Sequence, residues 1–511
     1  MPVPDAGSPS ANVADLVRAA AGRRGDETAL RHLPAGGAAP VTRLSWAELD
    51  RDVDAAAVGL RAELHLRPGD RVALCLSNSP AFVVAYFATL RAGLVAVPVN
   101  TGYTAPEVAG MLADSGAKAV LCEDATTAVV EEAVAGSHRV LVDPAGFDSV
   151  VAAGRPAGPQ DAVGGGEDLA VLMFTSGTTG RPRGAMLSHR ALLANLRQCA
   201  ALDPAPMRED DVVLLVLPLF HIYGLNAGLG MVASTAATAL LTDRFDPAGS
   251  LDTIRTEGVT NVPGAPPMYV AWARQGDLEA LRGVRLLASG SSSLPAEVAE
   301  RIRDRTGLTV HEGYGLTETA PVVSSTLAAP TVKAGSIGRP LPGVEVQLLD
   351  ESGDPAVDAD PGELWVRGDN LFSGYWPDGA DGPDRQGWWP TGDVAYADDD
   401  GDLFLVDRRK ELVLVSGFNV YPREVEDALG DHPDVAEVAV IGVPDPETGE
   451  AVKAFVVPVP GAALSPQDVT AHAARRLARF KRPTVVEVVD ALPHSATGKV
   501  AKGRLREGGA R

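Results

Sequence analysis

Thr175, Ser176, Gly177, Thr178, Thr179 and Gly180 form one unbroken run, followed at once by Arg181-Pro182-Arg183-Gly184. The hydroxyls supply hydrogen-bond donors. Glycine lets backbone N–H groups approach a ligand closely, and the two arginines add positive charge. Leu172 to Phe174 read as the end of a buried strand, and a helix-like run follows from Arg190. A strand, a Gly-rich loop and a helix start together make an anion cradle, with phosphate the best-fitting anion. The chain carries a net charge of -22, so an anionic ligand needs local positive charge, and this makes Arg181 and Arg183 informative. The common P-loop is excluded, because no Gly-Lys-Ser/Thr stands at the right offset from Gly180. Taken alone, the loop also reads as a flexible Ser/Thr/Gly connector.

The segment resembles the phosphate-binding signature of the adenylate-forming superfamily: acyl-CoA synthetases, non-ribosomal peptide adenylation domains and beetle luciferases. The family pattern usually ends Pro-Lys-Gly, where this chain has Pro182-Arg183-Gly184. Arginine keeps the charge and binds phosphate bidentately, but it is not interchangeable with lysine. The resemblance makes Thr175 to Gly180 nucleotide contacts and Arg183 a cation for the phosphoryl transition state.

Further motifs follow in family order, so the resemblance runs from about Leu44 to Arg504. Leu286 to Leu294 reads as a strand and a small-residue turn. In the family this turn lies against adenine, which points to Ser289, Gly290 and Ser291, although Ser291-Ser292 replace part of the usual Gly-Gly-Ala. His311-Glu312-Gly313-Tyr314-Gly315-Leu316-Thr317-Glu318 is a close match. It implies nucleotide contacts at Glu312, Gly313, Tyr314 and Gly315, an α-phosphate contact at Thr317, and a Mg²⁺ ligand at Glu318. A hard cation bridging ATP oxygens needs such a carboxylate, whereas a glutamate outside such a motif is normally a solvated surface acid. Asp393, in Trp388-Trp389-Pro390-Thr391-Gly392-Asp393, matches the family residue that accepts both ribose hydroxyls. The acidic run Ala397 to Asp402 fails EF-hand spacing, since a glycine at position six puts Tyr396 at position one. A tight Asp-Gly hairpin turn explains it better.

Pro218 to Gly224 contains His221 and Tyr223. A lone histidine is usually an ordinary core-edge residue, but the family has a pocket-walling segment here, which makes His221 a candidate at the carboxylate. Amino-acid-activating members place an aspartate in this segment. None occurs between Val212 and Thr242, and an uncompensated ammonium there would be costly. The substrate is therefore expected to be a simple carboxylic acid. The run His221-Ile222-Tyr223-Gly224-Leu225-Asn226 also resembles coumarate-type and fatty-acyl CoA ligases.

Toward the C-terminus, Asp407-Arg408-Arg409-Lys410-Glu411 resembles the hinge between a large and a small domain. Arg408 matches a ribose/phosphate contact and Lys410 the pivot. Val415 to Pro422 resembles the segment that enters the active site for thioester formation, where Gly417 leaves room for a pantetheine arm. Arg479 to Arg482 is a basic spot that suits CoA phosphates or simply closes a helix. Lys499 occupies the place of the catalytic lysine in Pro-x-x-x-x-Gly-Lys.

The elements that must position these residues are legible in outline. A capping box at Ser45 to Glu48 precedes apolar residues at helical spacing, Leu49, Val53, Ala57 and Leu60. Strand-like runs (Arg71–Leu76, Leu94–Val99, Lys118–Cys122, Arg139–Val142) alternate with helical ones, so the class is α/β with much parallel sheet. Residues 1–40 are expected to begin as a loose tail, and Ala152 to Gly166 reads as a surface linker. After Leu403–Val406, about 100 residues read as a compact α+β domain. The expected domains are therefore 1–406, binding ATP and carboxylate, and a mobile 407–511 carrying the catalytic lysine, joined by a hinge.

At 511 residues the chain exceeds one ordinary core. Its 45% apolar and 22% charged residues are those of a globular protein. The acidity argues against nucleic-acid or anionic-membrane partners. Cys75, Cys122 and Cys199 show no disulfide framework and fit a reducing cytoplasm, and the N-terminus lacks the features of a signal peptide. Val212 to Thr242 has no charged residue and is long enough to span a bilayer. Pro218, His221, Asn226 and several glycines interrupt it, however, and acidic flanks replace a basic collar, so a buried strand, loop and helix is expected. The implied reaction has two steps: a carboxylate attacks Mg·ATP to give acyl-AMP and pyrophosphate, then CoA displaces AMP. The acceptor could instead be a carrier protein, an amine or another nucleophile, or the chain could be a non-enzymatic ATP-binding relative of the fold. A homodimer is compatible with the sequence.

Overall fold

A computed structural model describes residues 11–34, 41–175, 182–350, 352–357, 360–408, 411–415, 418–445, 448–494 and 499–508. The chain divides into two compact units, Met1–Glu345 with Arg367–Trp389, and Val346–Val366 with Pro390–Arg511.

The larger unit holds two sheets. One runs in the order Val140–Val142, Ala119–Cys122, Arg71–Cys75, Val95–Pro98, Leu169–Thr175 and Arg183–Ser188. Its strands are parallel except the last, which turns back on Leu169–Thr175 as a hairpin. The central strands are continuous apolar runs, Val72 to Cys75 and Ala119 to Cys122, because both faces are covered. The helix Pro80–Arg91 fits this packing, with every residue from Phe82 to Arg91 buried. Even Arg91 is inside, its guanidinium 2.8 Å from both Asp50 and Asp54, which Arg18 also pairs at 2.7 Å. A buried charge is tolerable only with such partners.

The second sheet runs Thr42–Ser45, Thr28–Leu33, Thr238–Thr242, Val212–Leu215, Asn261–Gly264, Leu286–Ser289 and Val310–Gly315, continuing into Val322–Ser325 and Ser336–Pro340. The stretch from Thr28–Leu33 to Val310–Gly315 is parallel. Trp272, Tyr269, Leu287 and Ile302 are among the buried residues packed on it. In the smaller unit, Val413–Val415, Phe418–Val420, Val435–Asp445, Gly449–Pro458 and Val485–Val488 form a five-stranded sheet. It packs on the helices Pro422–Gly430 and Pro466–Arg476 through Val425, Leu429, Val469 and Ala473.

The α/β class is as expected, and two local expectations are corrected. Within residues 1–40, a helix spans Asp15–Arg24 and a strand Thr28–Leu33. Composition concealed them because Leu16, Val17 and Ala20 find apolar partners only in the folded unit. The expected linker Ala152–Gly166 begins later: Ala152 to Gly154 end the helix Pro144–Gly154, which packs on Trp46–Ala62, Arg155–Ala157 form a 3-10 turn, and 158–166 runs on without regular structure. Val212–Thr242 forms a strand, a π-helix at Tyr223–Gly230, a short helix and a second strand. No helix among the described residues is long and apolar enough to cross a membrane. Asp398 to Asp402 turn the chain between Trp389–Ala397 and Leu403–Arg408, antiparallel neighbours, as the hairpin reading anticipates.

Candidate active site

In the hairpin of Leu169–Thr175 and Arg183–Ser188, expected to bind phosphate, Thr175 faces Arg183 across the two strands, and its hydroxyl lies 3.5 Å from the Arg183 carbonyl. Ser176, Gly177, Thr178, Thr179, Gly180 and Arg181 lie outside the described residues. The loop does not open directly into a helix, as the sequence suggests. The strand Arg183–Ser188 intervenes, and the helix starts at His189, where the Ser188 hydroxyl accepts from Ala191 N at 3.2 Å. Arg183 points its guanidinium to Asp381 Oδ2 at 2.7 Å and lies over the Tyr375 ring, 3.7 Å from its centroid.

Parallel pairing of Leu286–Ser289 with Val310–Gly315 puts Ser289 opposite Glu312. The Ser289 hydroxyl is buried and has no hydrogen-bond partner among the described residues. Gly290 follows, and a Cβ there would come within 2.9 Å of the Tyr223 ring. Ser291 takes a left-handed φ of 77°, a conformation kept only where the surroundings impose it. Glu312 accepts from Leu294 N at 2.9 Å, tying the turn after Ser289 to the neighbouring strand. Gly313 and Tyr314 pair with Ser325 and Ser324, and Tyr314 is buried. At Gly315 a Cβ would sit 1.9 Å from the Pro321 carbonyl, so only glycine lets the chain fold back here. That return presents Thr317, half-buried, and Glu318, 7% exposed.

The turn is held from outside by side-chain amides. Asn226 donates to Ala320 O at 2.7 Å, Asn195 to Val322 O at 2.7 Å, and Asn370 to Thr319 O at 2.8 Å. Asn226 stands on the π-helix that begins at Tyr223, beside His221. The His221 Nδ1 accepts from Tyr223 N at 3.3 Å, which leaves the imidazole proton to Nε2. Burial pushes the Tyr223 phenol up and the His311 imidazole down from their ordinary ranges. The structure thus gathers His221, Ser289 to Ser291, Glu312 to Glu318 and Arg183 within the larger unit.

Sequence reasoning passed over Phe372-Ser373-Gly374-Tyr375-Trp376. This segment lies along the hairpin strand, with Ser373 N donating to Met186 O, Met186 N to Gly374 O and Trp376 N to Gly184 O at 2.8–3.0 Å. Phe372 N donates to the Glu318 carbonyl at 2.9 Å, and the Tyr375 hydroxyl to Glu318 Oε1 at 2.6 Å. Burial, and then the Glu318 carboxylate beside it, push the Tyr375 phenol far above its ordinary range. Two aromatics after a Gly were the available signal. Gly374 has a φ of 92°, and a Cβ there would lie 2.2 Å from the Gly379 carbonyl.

In the smaller unit, Asp393 is 5% exposed and pairs in the ladder with Arg408. Its amide donates to the Thr391 hydroxyl at 3.1 Å, which donates to Leu364 O at 2.8 Å. Lys410 and Gly417 lie outside the described residues, and Lys499 is exposed. The basic spot is engaged, with Lys481 Nζ 2.6 and 2.7 Å from the two Glu424 oxygens.

Residues 17–376 match the model of the AMP-binding enzyme family, and residues 424–499 match the AMP-binding enzyme C-terminal domain. This chain belongs to the AMP-binding enzyme family. A feruloyl-CoA synthase of Amycolatopsis sp is 41% identical over 491 residues, covering 94% of this chain and 95% of the relative. A long-chain-fatty-acid–CoA ligase of Yersinia pestis is 35% identical over 506 residues, covering 91% and 90%. Among solved structures, ATP-bound MatB from Rhodopseudomonas palustris superposes with a TM-score of 0.88 at 33% identity, covering 97% of this chain and 99% of that one.

This AMP-binding enzyme is an acid–thiol ligase: it activates a carboxylic acid as its adenylate and transfers the acyl group to CoA. The residues present fit a nucleotide and its cation. Ser289 offers an orphaned buried hydroxyl. Glu318 offers hard carboxylate oxygen, with Oε1 already oriented by Tyr375, and hard oxygen is what Mg²⁺ selects.

Proposed function

We propose that this enzyme activates an apolar acid, fatty or aryl, and passes it to CoA. The observation that carries this reading is the pocket-wall segment Val212–Thr242, which has no Asp, Glu, Lys or Arg. Its Tyr223 abuts the turn at Gly290. An ammonium or second carboxylate buried against that wall would have no partner in the segment. The 41% identity to a feruloyl-CoA synthase supports an aryl acid within this class.

In this reading the chain aligns reactants and uses no covalent nucleophile. Thr175 to Gly180, Ser289 to Ser291 and Glu312 to Gly315 hold the nucleotide, with Asp393 and Arg408 at the ribose. Thr317 orients the α-phosphate and His221 borders the acid. Glu318 would hold Mg²⁺, which neutralises phosphate charge when bound. Arg183 and Lys499 face charge developing in the phosphoryl transition state. The segment 407–511 turns about Lys410 between the two steps, bringing Gly417 to the pantetheine arm. Free, buried Cys75, Cys122 and Cys199 support a reducing cytoplasm.

The test is pyrophosphate release across propionate, hexanoate, decanoate, cinnamate, malonate and phenylalanine. Burial of each CH₂ contributes about 0.8 kcal/mol, roughly fourfold in kcat/KM. Specificity should rise with apolar size until the pocket is full, then fall. A maximum at malonate or phenylalanine would refute the apolar pocket.

A further inference from the structure

We propose that Tyr375 is a positioning residue: its hydroxyl sets the Glu318 carboxylate, and its ring ties that carboxylate to Arg183 on the phosphate hairpin. The inference rests on reading Glu318 as the carboxylate that faces the nucleotide-bound cation.

Arg183 and Phe372, each held by a further group, fix the Tyr375 ring. The Arg183 guanidinium covers the ring at 3.7 Å from its centroid, and Asp381 holds that guanidinium at 2.7 Å. The Phe372 ring meets the Tyr375 ring edge-on at 5.0 Å and 79°, and Trp389 meets Phe372 at 5.2 Å and 73°. The hydroxyl therefore arrives at Glu318 Oε1 from a defined direction, at 2.6 Å. The backbone repeats the link, with Phe372 N on the Glu318 carbonyl and Ser373, Gly374 and Trp376 on the hairpin strand. One short segment thus spans from the carboxylate to the cation.

The chemistry follows from the donor and acceptor inventory. An ionised carboxylate has about four acceptor sites. One phenol O–H occupies one of them, sets the rotamer in advance, and leaves oxygen for a metal. A charge-assisted bond of this length is among the stronger ones. The same geometry accounts for arginine where the family has lysine. A planar guanidinium stacks on an aromatic face and pairs with Asp381 at once, which a compact ammonium cannot do equally well. Substrate phosphates then meet a cation already aimed by Tyr375.

Tyr375→Phe removes the hydroxyl and keeps the ring, so it isolates the bond. Two readouts are needed: the Mg²⁺ titration of ATP–pyrophosphate exchange, and calorimetric binding of a non-hydrolysable ATP analogue with and without Mn²⁺. Tyr375→Phe should raise the Mg²⁺ needed for half-maximal exchange by about tenfold. It should weaken the Mn²⁺-dependent binding similarly and leave metal-free binding unchanged. Glu318→Gln should do at least as much, and adding Tyr375→Phe to it should do nothing more. Arg183→Lys, at a half-exposed position, should raise the Mg²⁺ requirement by a smaller factor of roughly three. A wild-type titration for Tyr375→Phe beside an impaired Glu318→Gln overturns the inference and leaves the reading of Glu318 standing. Equal losses from Tyr375→Phe with and without Glu318→Gln also overturn it, and so does an unchanged Arg183→Lys. A wild-type titration for Glu318→Gln itself removes the reading beneath it.

Discussion

Lys499 is exposed, and an exposed lysine contributes little to stability, with substitutions usually within about 0.5 kcal/mol. Its removal therefore probes chemistry. Lys499→Ala is expected to lower adenylation by roughly 10²–10³ while largely sparing thioester formation from supplied acyl-AMP. Quench-flow measurement of the two half-reactions decides; equal losses in both would defeat a two-conformation cycle. Glu318 and Tyr375 differ in how far sequence exposes them. Glu318 stands in a dense motif whose neighbours, Gly315 and Thr317, constrain its role. Tyr375 acts through a partner 57 positions away, and nothing in its own segment names that partner.

At the scale of elements, the turn after Gly315 is held by amides from three separate segments. Asn226 donates to both Leu192 O and Ala320 O, at 3.1 and 2.7 Å, from inside the π-helix Tyr223–Gly230. Its Oδ1 is buried with no hydrogen-bond partner among the described residues. π-helical turns recur at functional sites, and this one links the charge-free segment Val212–Thr242 to the turn that carries Thr317 and Glu318. Asn226→Ala leaves the Ala320 carbonyl without its amide donor, at about 1–3 kcal/mol, and takes a second, side-chain donor from Leu192 O inside the helix His189–Ala200. Urea unfolding should show a loss of about 1–3 kcal/mol, and kcat should fall as the turn loosens. An unchanged midpoint together with unchanged kcat would show that the amide bridge does not set the turn.

For the molecule as a whole, His189 supplies a pH dependence. It is buried, its Nδ1 accepts from Val13 N at 3.1 Å, and burial lowers its pKa to about 4 against the opposing pull of Asp168. The folded pKa lies below the unfolded value of about 6.5. Its contribution is therefore complete above pH 6.5 and is lost as pH falls toward 4. The slope approaches about 1.4 kcal/mol per pH unit in that window. His189→Asn should be less stable at pH 7 but show a flatter decline between pH 6.5 and 4.5, read by urea unfolding at each pH. Parallel curves would mean that other groups carry the acid sensitivity. The consequence is global because His189, with Asn12 and Val13, fastens the N-terminal segment to the helix His189–Ala200, which follows the hairpin strand Arg183–Ser188.

The sequence by itself determined the α/β class, the capped helix after Ser45, the family to which the run of motifs belongs and the charge-free stretch Val212–Thr242. These are local properties: apolar periodicity, capping chemistry, glycine at tight turns and carboxylates in dense motifs act over a few residues. It also placed the Asp398–Asp402 turn correctly, because turn chemistry is local. Only the tertiary structure decided that residues 15–33 form a helix and a strand, since their partners lie at Trp46–Ala62 and Thr238–Thr242. Only it inserted the strand Arg183–Ser188 between the phosphate loop and its helix, because the pairing with Leu169–Thr175 sets that register. Only it brought Tyr375 to Glu318 and Arg183, and Asn226 to Ala320. Hydrogen bonds and ring stacking are short-range in space, and sequence separation is blind to which distant segments the sheets carry side by side.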